Sequence, residues 1–438
     1  MISRFAVSSS LSLPLNEARL ALVNWSLAQN NLVSKPYRSS SKFILYCDDL
    51  HDPCFHGAKK HSKLTYEEDF KWLGIEPSST IFSSKRLDTY SVWLDYLIDK
   101  GFAYQSKLTS GKNCVFFNSK IFGTDTTFTD PLLGKVTVDE SSVIDFVLQS
   151  NNYYNANFIL AVNDTENDVT NVVQDSTNLQ SAFIQRRLVQ ALGGLSPKYL
   201  HLPSFPLGFS GQRTRLEFYR NQGYLPEAMF EYLARLNYLY TMPKFTLNKF
   251  IRSYSLEKYV PLEEDFSVDE LMRIQSEYMK EKSLEQKVSM VTNKFGYWAE
   301  DVANVIKVMG ERFRITTDFR SFEHFVNSNL ISFKIRNSAL EMLPKNCLPV
   351  LEDYMEHVEV IDSKHYNKKT LQNLVIKIAI KHKMKPSQLA LILRIGTTGQ
   401  LSGIDVFDSM LLLSRYLVKA RLEKLKNICQ QTCEHYSV

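Results

Sequence analysis

The opening residues alternate two kinds of text, and that alternation limits the architectures open to the chain. Ile2–Val7 is a short apolar run of strand length. Glu17–Gln29 then places Leu20, Val23, Leu27 and Ala28 on one stripe at helical spacing. Lys42–Cys47 (KFILYC) is a second compact strand, and Tyr66–Leu73 and Tyr90–Lys100 read as helices. Strand, helix, strand, helix predicts a parallel sheet with crossover helices. Ligands of such sheets gather beyond the carboxyl ends of the strands. The first of those ends carries Val7-Ser8-Ser9-Ser10.

The pattern then changes. Residues 107–150 hold short strand-like runs (Cys114–Asn118, Lys135–Val138) broken by Gly and Pro, and Phe158–Val162 reads as one more buried strand. Gln180–Leu192 reads as a helix stopped by Gly193-Gly194. From Leu225 onward the text is mostly helical: Glu227–Leu239, Asp269–Lys282, Tyr297–Gly310, Arg320–Asn329, Leu348–His357 and Lys369–His382. The expected fold class is therefore an α/β N-terminal half followed by an all-α C-terminal half. Boundaries are expected near 240 and near 320. No fixed-period repeat and no low-complexity segment interrupts this plan.

The chain has 438 residues, enough for two to four domains. Hydrophobic content of 44% and charged content of 23% are those of an ordinary globular protein. A formal charge of +5 permits an RNA-binding face without requiring one. Six scattered cysteines do not make a disulfide framework and read as reduced thiols in a cytosol-like compartment. No apolar run is long enough to span a bilayer, so no membrane association is expected.

Specific residues point further. Arg4-Phe5-Ala6, Ala18-Arg19, Ala21-Leu22 and Asn24-Trp25 keep the frame R-F-A-P-S-P-T-G-x-L-H-I-G-G-A-R-x-A-L-x-N-W. Lys42-Phe43-Ile44-Leu45, Trp72-Leu73-Gly74, Ser84-Lys85-Arg86-Leu87-Asp88-Thr89-Tyr90 and Gly101-Phe102-Ala103-Tyr104 follow at matching places. Phe158 to Asp164 aligns with N-F-A-V-V-V-D-D, and Tyr219 to Ala228 with Y-R-D-x-G-Y-L-P-E-A. Leu393-Arg394-Ile395 with Gly399 resembles the L-R-x-A-x-x-G of a bacterial anticodon-binding domain. Over nearly its whole length the chain resembles the glutamyl-tRNA synthetases, which are class I aminoacyl-tRNA synthetases.

That resemblance implies a Rossmann-type catalytic domain over 1–240, with an acceptor-binding-like insertion at 107–150. It implies a helical stem-contact region over 241–320 and a helical anticodon-binding-like domain over 321–438. The family joins glutamate to tRNA through a glutamyl-adenylate, with donors arranged around the transferring phosphates. Where it has H-I-G-G, this chain has Pro14-Leu15-Asn16-Glu17. Proline removes a backbone donor, the larger side chains keep the backbone from close approach, and Glu17 adds negative charge.

Counting back from Tyr219 without gaps sets Pro206-Leu207-Gly208-Phe209-Ser210 at the family's K-L-S-K-R. Arg213, Arg215 and Lys198 are the nearby cations that could substitute. Losing one such donor commonly costs about 10²–10³-fold in rate, so losing both motifs points to a catalytically degenerate paralogue. The family's glutamate pocket maps onto Arg4, Ser8, Asp48 and, in place of an arginine, Gln174. An internal ion pair is the competing role for Arg4.

No catalytic residue and no cofactor is therefore expected. ATP and Mg enter only if the chain is a divergent but active ligase, and a structural subunit of a larger complex is the third reading. Expected partners are tRNA or other RNA, or a protein, with no DNA. RNA-binding candidates are Lys377, Lys381, Lys383, Lys385, Lys419, Arg421, Lys424 and Lys426, alongside Lys368 and Lys369; solvated helix faces are the alternative. Cys47, His51, Cys54, His56 and His61 cluster with Asp48, Asp49 and Asp52, but their spacing fits no zinc signature and no metal is expected. Gln105-Ser106 stand where some relatives carry zinc cysteines. Because family-like text starts at Arg4, a cytoplasmic protein, or one encoded inside an organelle, is expected.

Overall fold

Alternation along the first strand sets the layout. In β1 (Ile2–Val7), Ser3, Phe5 and Val7 form one face and Arg4 lies on the other. The helix Leu15–Ser34 covers the Ser3 face, and Ser3 Oγ donates to Asn24 O at 2.7 Å. The computed structural model describes residues 1–7, 11–34, 41–50, 65–108, 111–151, 153–240, 245–260, 265–326, 333–344 and 346–435. It divides into two compact units, Met1–Gln275 and Ser276–Val438.

The first unit is built on a five-stranded parallel sheet. Its strands are β1, β2 (Lys42–Cys47), β3 (Ser79–Phe82), β10 (Asn171–Asp175) and β11 (Lys198–Leu202), in the order β11-β10-β1-β2-β3. The parallel sheet expected from the opening text is present. Between β3 and β10 lie β4 (Ala103–Lys107), β5 (Asn113–Phe117), β8 (Phe146–Ser150) and β9 (Tyr153–Tyr154), which form an antiparallel sheet. A hairpin of β6 (Thr127–Asp130) and β7 (Gly134–Thr137) completes the insertion.

Asn24 shows what the surviving sequence frame does. Its side-chain amide accepts from Val173 N at 3.0 Å and donates to Val173 O at 2.8 Å. One buried side chain thus ties the first helix to β10. Arg19, fully buried, reaches Asn237 Oδ1 at 2.6 Å and the Pro203 carbonyl, with its guanidinium 4.9 Å over the Phe205 ring. Ala18 and Ala21 are fully buried, where a larger side chain would push the helix off the sheet.

Three expectations for local structure are corrected. Phe158–Val162 is not a strand but the middle of the helix Ala156–Glu166, capped by Asn155, whose side chain accepts from Asn157 N. A continuous apolar run fits a buried strand and a buried helix equally well. The helix expected to reach Leu239 ends at Arg235, where Leu236 turns extended with a ψ of 120°, ahead of Asn237 at a left-handed φ of 58°. Of the stretch expected as a helix over Arg320–Asn329, the part up to Phe325 belongs to a 3-10 run that starts at Thr316, and residues 327–329 lie outside the described residues.

The composition change near 240 falls inside the first unit. Residues 245–260 pack back under the first helix: Phe250 is fully buried, and Asn30 Nδ2 donates to Ile251 O at 2.7 Å. The second unit is helical, with helices Leu284–Phe295, Ala299–Met309, Cys347–Glu359, Lys368–Lys381, Pro386–Thr398, Val406–Leu412 and Arg415–His435. Among the described residues no helix is long and apolar enough to cross a membrane.

Candidate functional site

Strand alternation gathers the pocket-like residues on one sheet face. Arg4 aligns with Val172 of β10, and Gln174 lies two residues farther toward the carboxyl end. Asp48 follows β2 directly, and its amide donates to Val7 O at 2.9 Å. Asp48 and Gln174 thus lie toward the carboxyl end of the sheet, with Arg4 in the middle of β1. Ser8, the fourth of the set, lies outside the described residues.

Each has an engagement inside the protein. Arg4 is 4% exposed; its Nε and Nη2 donate to the two carboxylate oxygens of Asp164 at 3.1 and 3.2 Å. Nη2 also donates to Gln185 Oε1 at 2.9 Å. Burial is the largest influence and would lower the Arg4 pKa, but attraction and hydrogen bonding to Asp164 together with Tyr199 and Tyr46 raise it overall, so the guanidinium stays charged. Asp48 Oδ1 accepts from Leu50 N at 3.3 Å. Gln174 Nε2 is 3.0 Å from His201 Nε2, and His201 Nδ1 is 2.8 Å from Asp130 Oδ2. Burial works against the Asp130 charge, yet hydrogen bonds from His201, Leu133 and Leu132 prevail and hold its carboxyl below the usual range.

The segment around Pro14 meets the residues that flank residues 206–210 on either side. Pro14 forms an antiparallel bridge with Arg215, and Leu216 N donates to Leu13 O at 3.0 Å. Leu15 is fully buried at the start of the first helix. Asn16 clamps the main chain of Phe205, with Nδ2 donating to its carbonyl at 3.3 Å and Oδ1 accepting from its amide at 3.2 Å. Leu13 N donates to Asp69 Oδ2 at 2.8 Å, and Glu217 N donates to Ser12 Oγ at 2.9 Å. Burial pushes the Glu17 carboxyl up, and Arg215 opposes it.

Beyond the clamp, Pro206 O accepts from Phe266 N at 3.0 Å, and Leu207 is half-buried. Gly208 has a φ of +64°, the Phe209 ring lies edge-on 5.8 Å from that of Phe266, and Ser210 is exposed and extended. Of the substitute cations, Lys198 starts β11 and so stands at the opposite end of the sheet. Arg213 lies 5.8 Å over the Phe218 ring, and Arg215 donates to the Ser12 carbonyl. Only Arg215 among these faces Glu17 and the start of the first helix.

Sequence reasoning missed Asp164, Gln185, His201 and Asp130. Asp164 is 160 residues from Arg4, and no spacing signal links them. In the cysteine–histidine cluster, Cys47 is buried 3.2 Å from Tyr66 Oη, and Asp49 Oδ1 accepts from Ser84 N at 2.8 Å. His51, Asp52, Cys54, His56 and His61 lie outside the described residues.

The basic candidates divide. Lys377, Lys383 and Lys385 are exposed. Lys381 pairs with Asp353 at 2.9 Å, Lys426 with Glu352 at 2.9 Å, and Lys419 with Glu359. Lys368 pairs with Asp408 at 2.8 Å, and Lys424 Nζ donates to Phe333 O at 2.7 Å. Arg421 is a correction: it is 1% exposed, donates to the carbonyls of Thr397 and His324, and lies 4.4 Å over the Phe333 ring. A side chain so buried is core and cannot reach a phosphate.

The chain matches two family models: "tRNA synthetases class I (E and Q), catalytic domain" over residues 1–112, and "Anticodon binding domain" over residues 288–426. A glutamate–tRNA ligase of Thermodesulfovibrio yellowstonii is 25% identical, with 96% of this chain and 98% of that protein covered. One of Janthinobacterium is 24% identical, with 96% and 99% covered. A solved glutamate-tRNA synthetase from Elizabethkingia anophelis superposes with a TM-score of 0.72 at 18% identity, covering 97% of this chain and 99% of that one. That superposition establishes a shared fold.

Proposed function

The chain belongs to the glutamyl-tRNA synthetase family, and on that premise we propose that it is a catalytically degenerate member retained as a tRNA-binding module in translation. The observation that carries this reading is where the backbone donors go. The amides of Leu13, Phe205, Leu216 and Glu217 are all bonded to this chain's own Asp69, Asn16, Leu13 and Ser12. A triphosphate needs such amides turned toward it, with cations beside them. Glu17 puts a carboxyl in the first turn of the first helix, and Arg215 is already committed to Glu17 and Ser12. Binding ATP would require breaking the clamp and neutralising a carboxylate.

The anticodon-type region and the exposed Lys377, Lys383 and Lys385 support tRNA as the partner. A role in translation is compatible with the cytoplasm or with an organelle that makes its own proteins. An active glutamate–tRNA ligase is the second reading, favoured by the end-to-end coverage of relatives bearing that name. The test is calorimetry with ATP and with glutamate, then charging of total tRNA with labelled glutamate, then tRNA binding. The proposal expects tRNA binding without ATP binding or charging. ATP binding with charging would replace it by the active ligase. A folded protein that binds neither ATP nor tRNA would point to a structural subunit.

A further inference from the structure

The helices Cys347–Glu359 and Arg415–His435 of the second unit run antiparallel along a shared seam. Glu359 pairs with Lys419 and Glu352 with Lys426, in descending order along one helix and ascending order along the other. Val350, Leu351 and Tyr354 on one side, and Val418, Leu422 and Leu425 on the other, are nearly or completely buried. The next contact in this progression is Cys347 with Cys429, whose sulfurs lie 3.4 Å apart.

We propose that Cys347 and Cys429 form a reversible dithiol–disulfide site that reacts with peroxides and staples the two helices. A disulfide needs its sulfurs about 2.05 Å apart, so side-chain rotation must close little more than an ångström. The ion pairs and buried contacts farther along the seam hold both backbones in place for that. Cys347 and Cys429 are 8% and 7% exposed, against 2% for Cys47 and 3% for Cys114, so they lie nearer the edge of the core than the other buried cysteines among the described residues.

Cys347 also stands at the first turn of its helix. Hydrogen bonding from Cys429 favours its thiolate, burial opposes it, and the backbone amides of Cys347 and Leu348 help, so its pKa falls below the ordinary thiol value. Cys47 contrasts with it: 2% exposed, its thiol is pushed up to about 11 by burial.

The chemistry balances as a two-electron oxidation. The Cys347 thiolate attacks one oxygen of hydrogen peroxide, the O–O bond breaks, and the departing hydroxide takes a proton to become water. The sulfenic acid left on Cys347 is attacked by the Cys429 sulfur. An S–S bond forms, and the sulfenic oxygen leaves as a second water. A dithiol reductant reverses the step by exchange. The closed bond would tie residues 82 apart in sequence, the kind of long loop whose closure restricts the unfolded chain strongly.

The test treats the reduced full-length protein with hydrogen peroxide, blocks remaining thiols by alkylation, and maps peptides without reduction. The expected product is a linked peptide pair carrying Cys347 and Cys429, two hydrogens lighter than the separate thiols. It disappears in Cys347→Ser and in Cys429→Ser and reverts with dithiothreitol. Melting of the second unit, followed by circular dichroism, should rise on oxidation of the wild type and stay fixed in either variant. Linkage to Cys433 instead, oxidation of Cys47 or Cys114 ahead of the pair, or conversion to sulfinic acids without a cross-link would each overturn the proposal.

Discussion

Replacing Arg4 by methionine tests whether this residue belongs to the fold or to a pocket. The wild-type pair is bidentate and buried, with Nε 3.1 Å from Asp164 Oδ1. At that separation and an effective dielectric of about 20, the attraction is about 5 kcal/mol. Removing the cation strands a buried carboxylate, and breaking a buried pair typically costs about 3–5 kcal/mol. The companion change Asp164→Leu removes the stranded charge. The double variant should recover most of that loss, since replacing a buried pair by apolar groups is often neutral or stabilising.

Tryptophan fluorescence during urea unfolding is the assay. Trp25, Trp72 and Trp93 belong to the first unit, whereas Trp298 of the second is 83% exposed and changes environment little. An Arg4→Met cost under about 1 kcal/mol, or a double variant as unstable as the single one, would refute the structural account. A double variant that is stable but has lost measurable glutamate binding would show that Arg4 serves the pocket as well.

Two further outcomes are expected. Burial, with the charge of Arg421 beside it, lowers the His324 pKa from its ordinary 6.5 to about 4. The unfolded chain then binds the proton more readily between those values. Stability from this residue is complete above pH 6.5 and is lost as pH falls toward 4, by up to ~3 kcal/mol. Acid titration of second-unit melting should show that slope, and His324→Phe should flatten it; an unchanged slope would rule the residue out. For RNA, Lys377→Glu, Lys383→Glu and Lys385→Glu together should lower the salt slope of tRNA binding by about 2–3. Lys419→Gln and Lys426→Gln, at residues already paired with Glu359 and Glu352, should barely move it. Equal effects from the two sets would contradict the division between free and paired lysines.

Much of the fold was legible because strand and helix periodicity act locally. β1, β2 and the first helix are each specified by their own residues, and the family-like frame includes the contacts that join them. Asn24 is in that frame because it holds β10, although its partner Val173 lies 149 residues away. What stayed hidden depended on distant partners. Phe158–Val162 carries no periodicity, and its helix is recognisable only by the Asn155 cap. In the candidate site, the departure of Pro14-Leu15-Asn16-Glu17 from the family's H-I-G-G could be read directly. That Asn16 closes onto Phe205 and that Arg4 is spent on Asp164 could not, because neither contact leaves a pattern in sequence spacing.

The sheet order also sets a timetable. β1 leaves the ribosome before the other four strands of its sheet, yet it ends as the central strand between β2 and β10. One of its edges can be covered once residue 47 is made, but the other waits for residues 171–175. At about 5–20 residues per second, that edge stays open for roughly ten to thirty seconds of synthesis. A nascent chain with an unsatisfied apolar strand for that long is a natural client for a chaperone at the exit tunnel.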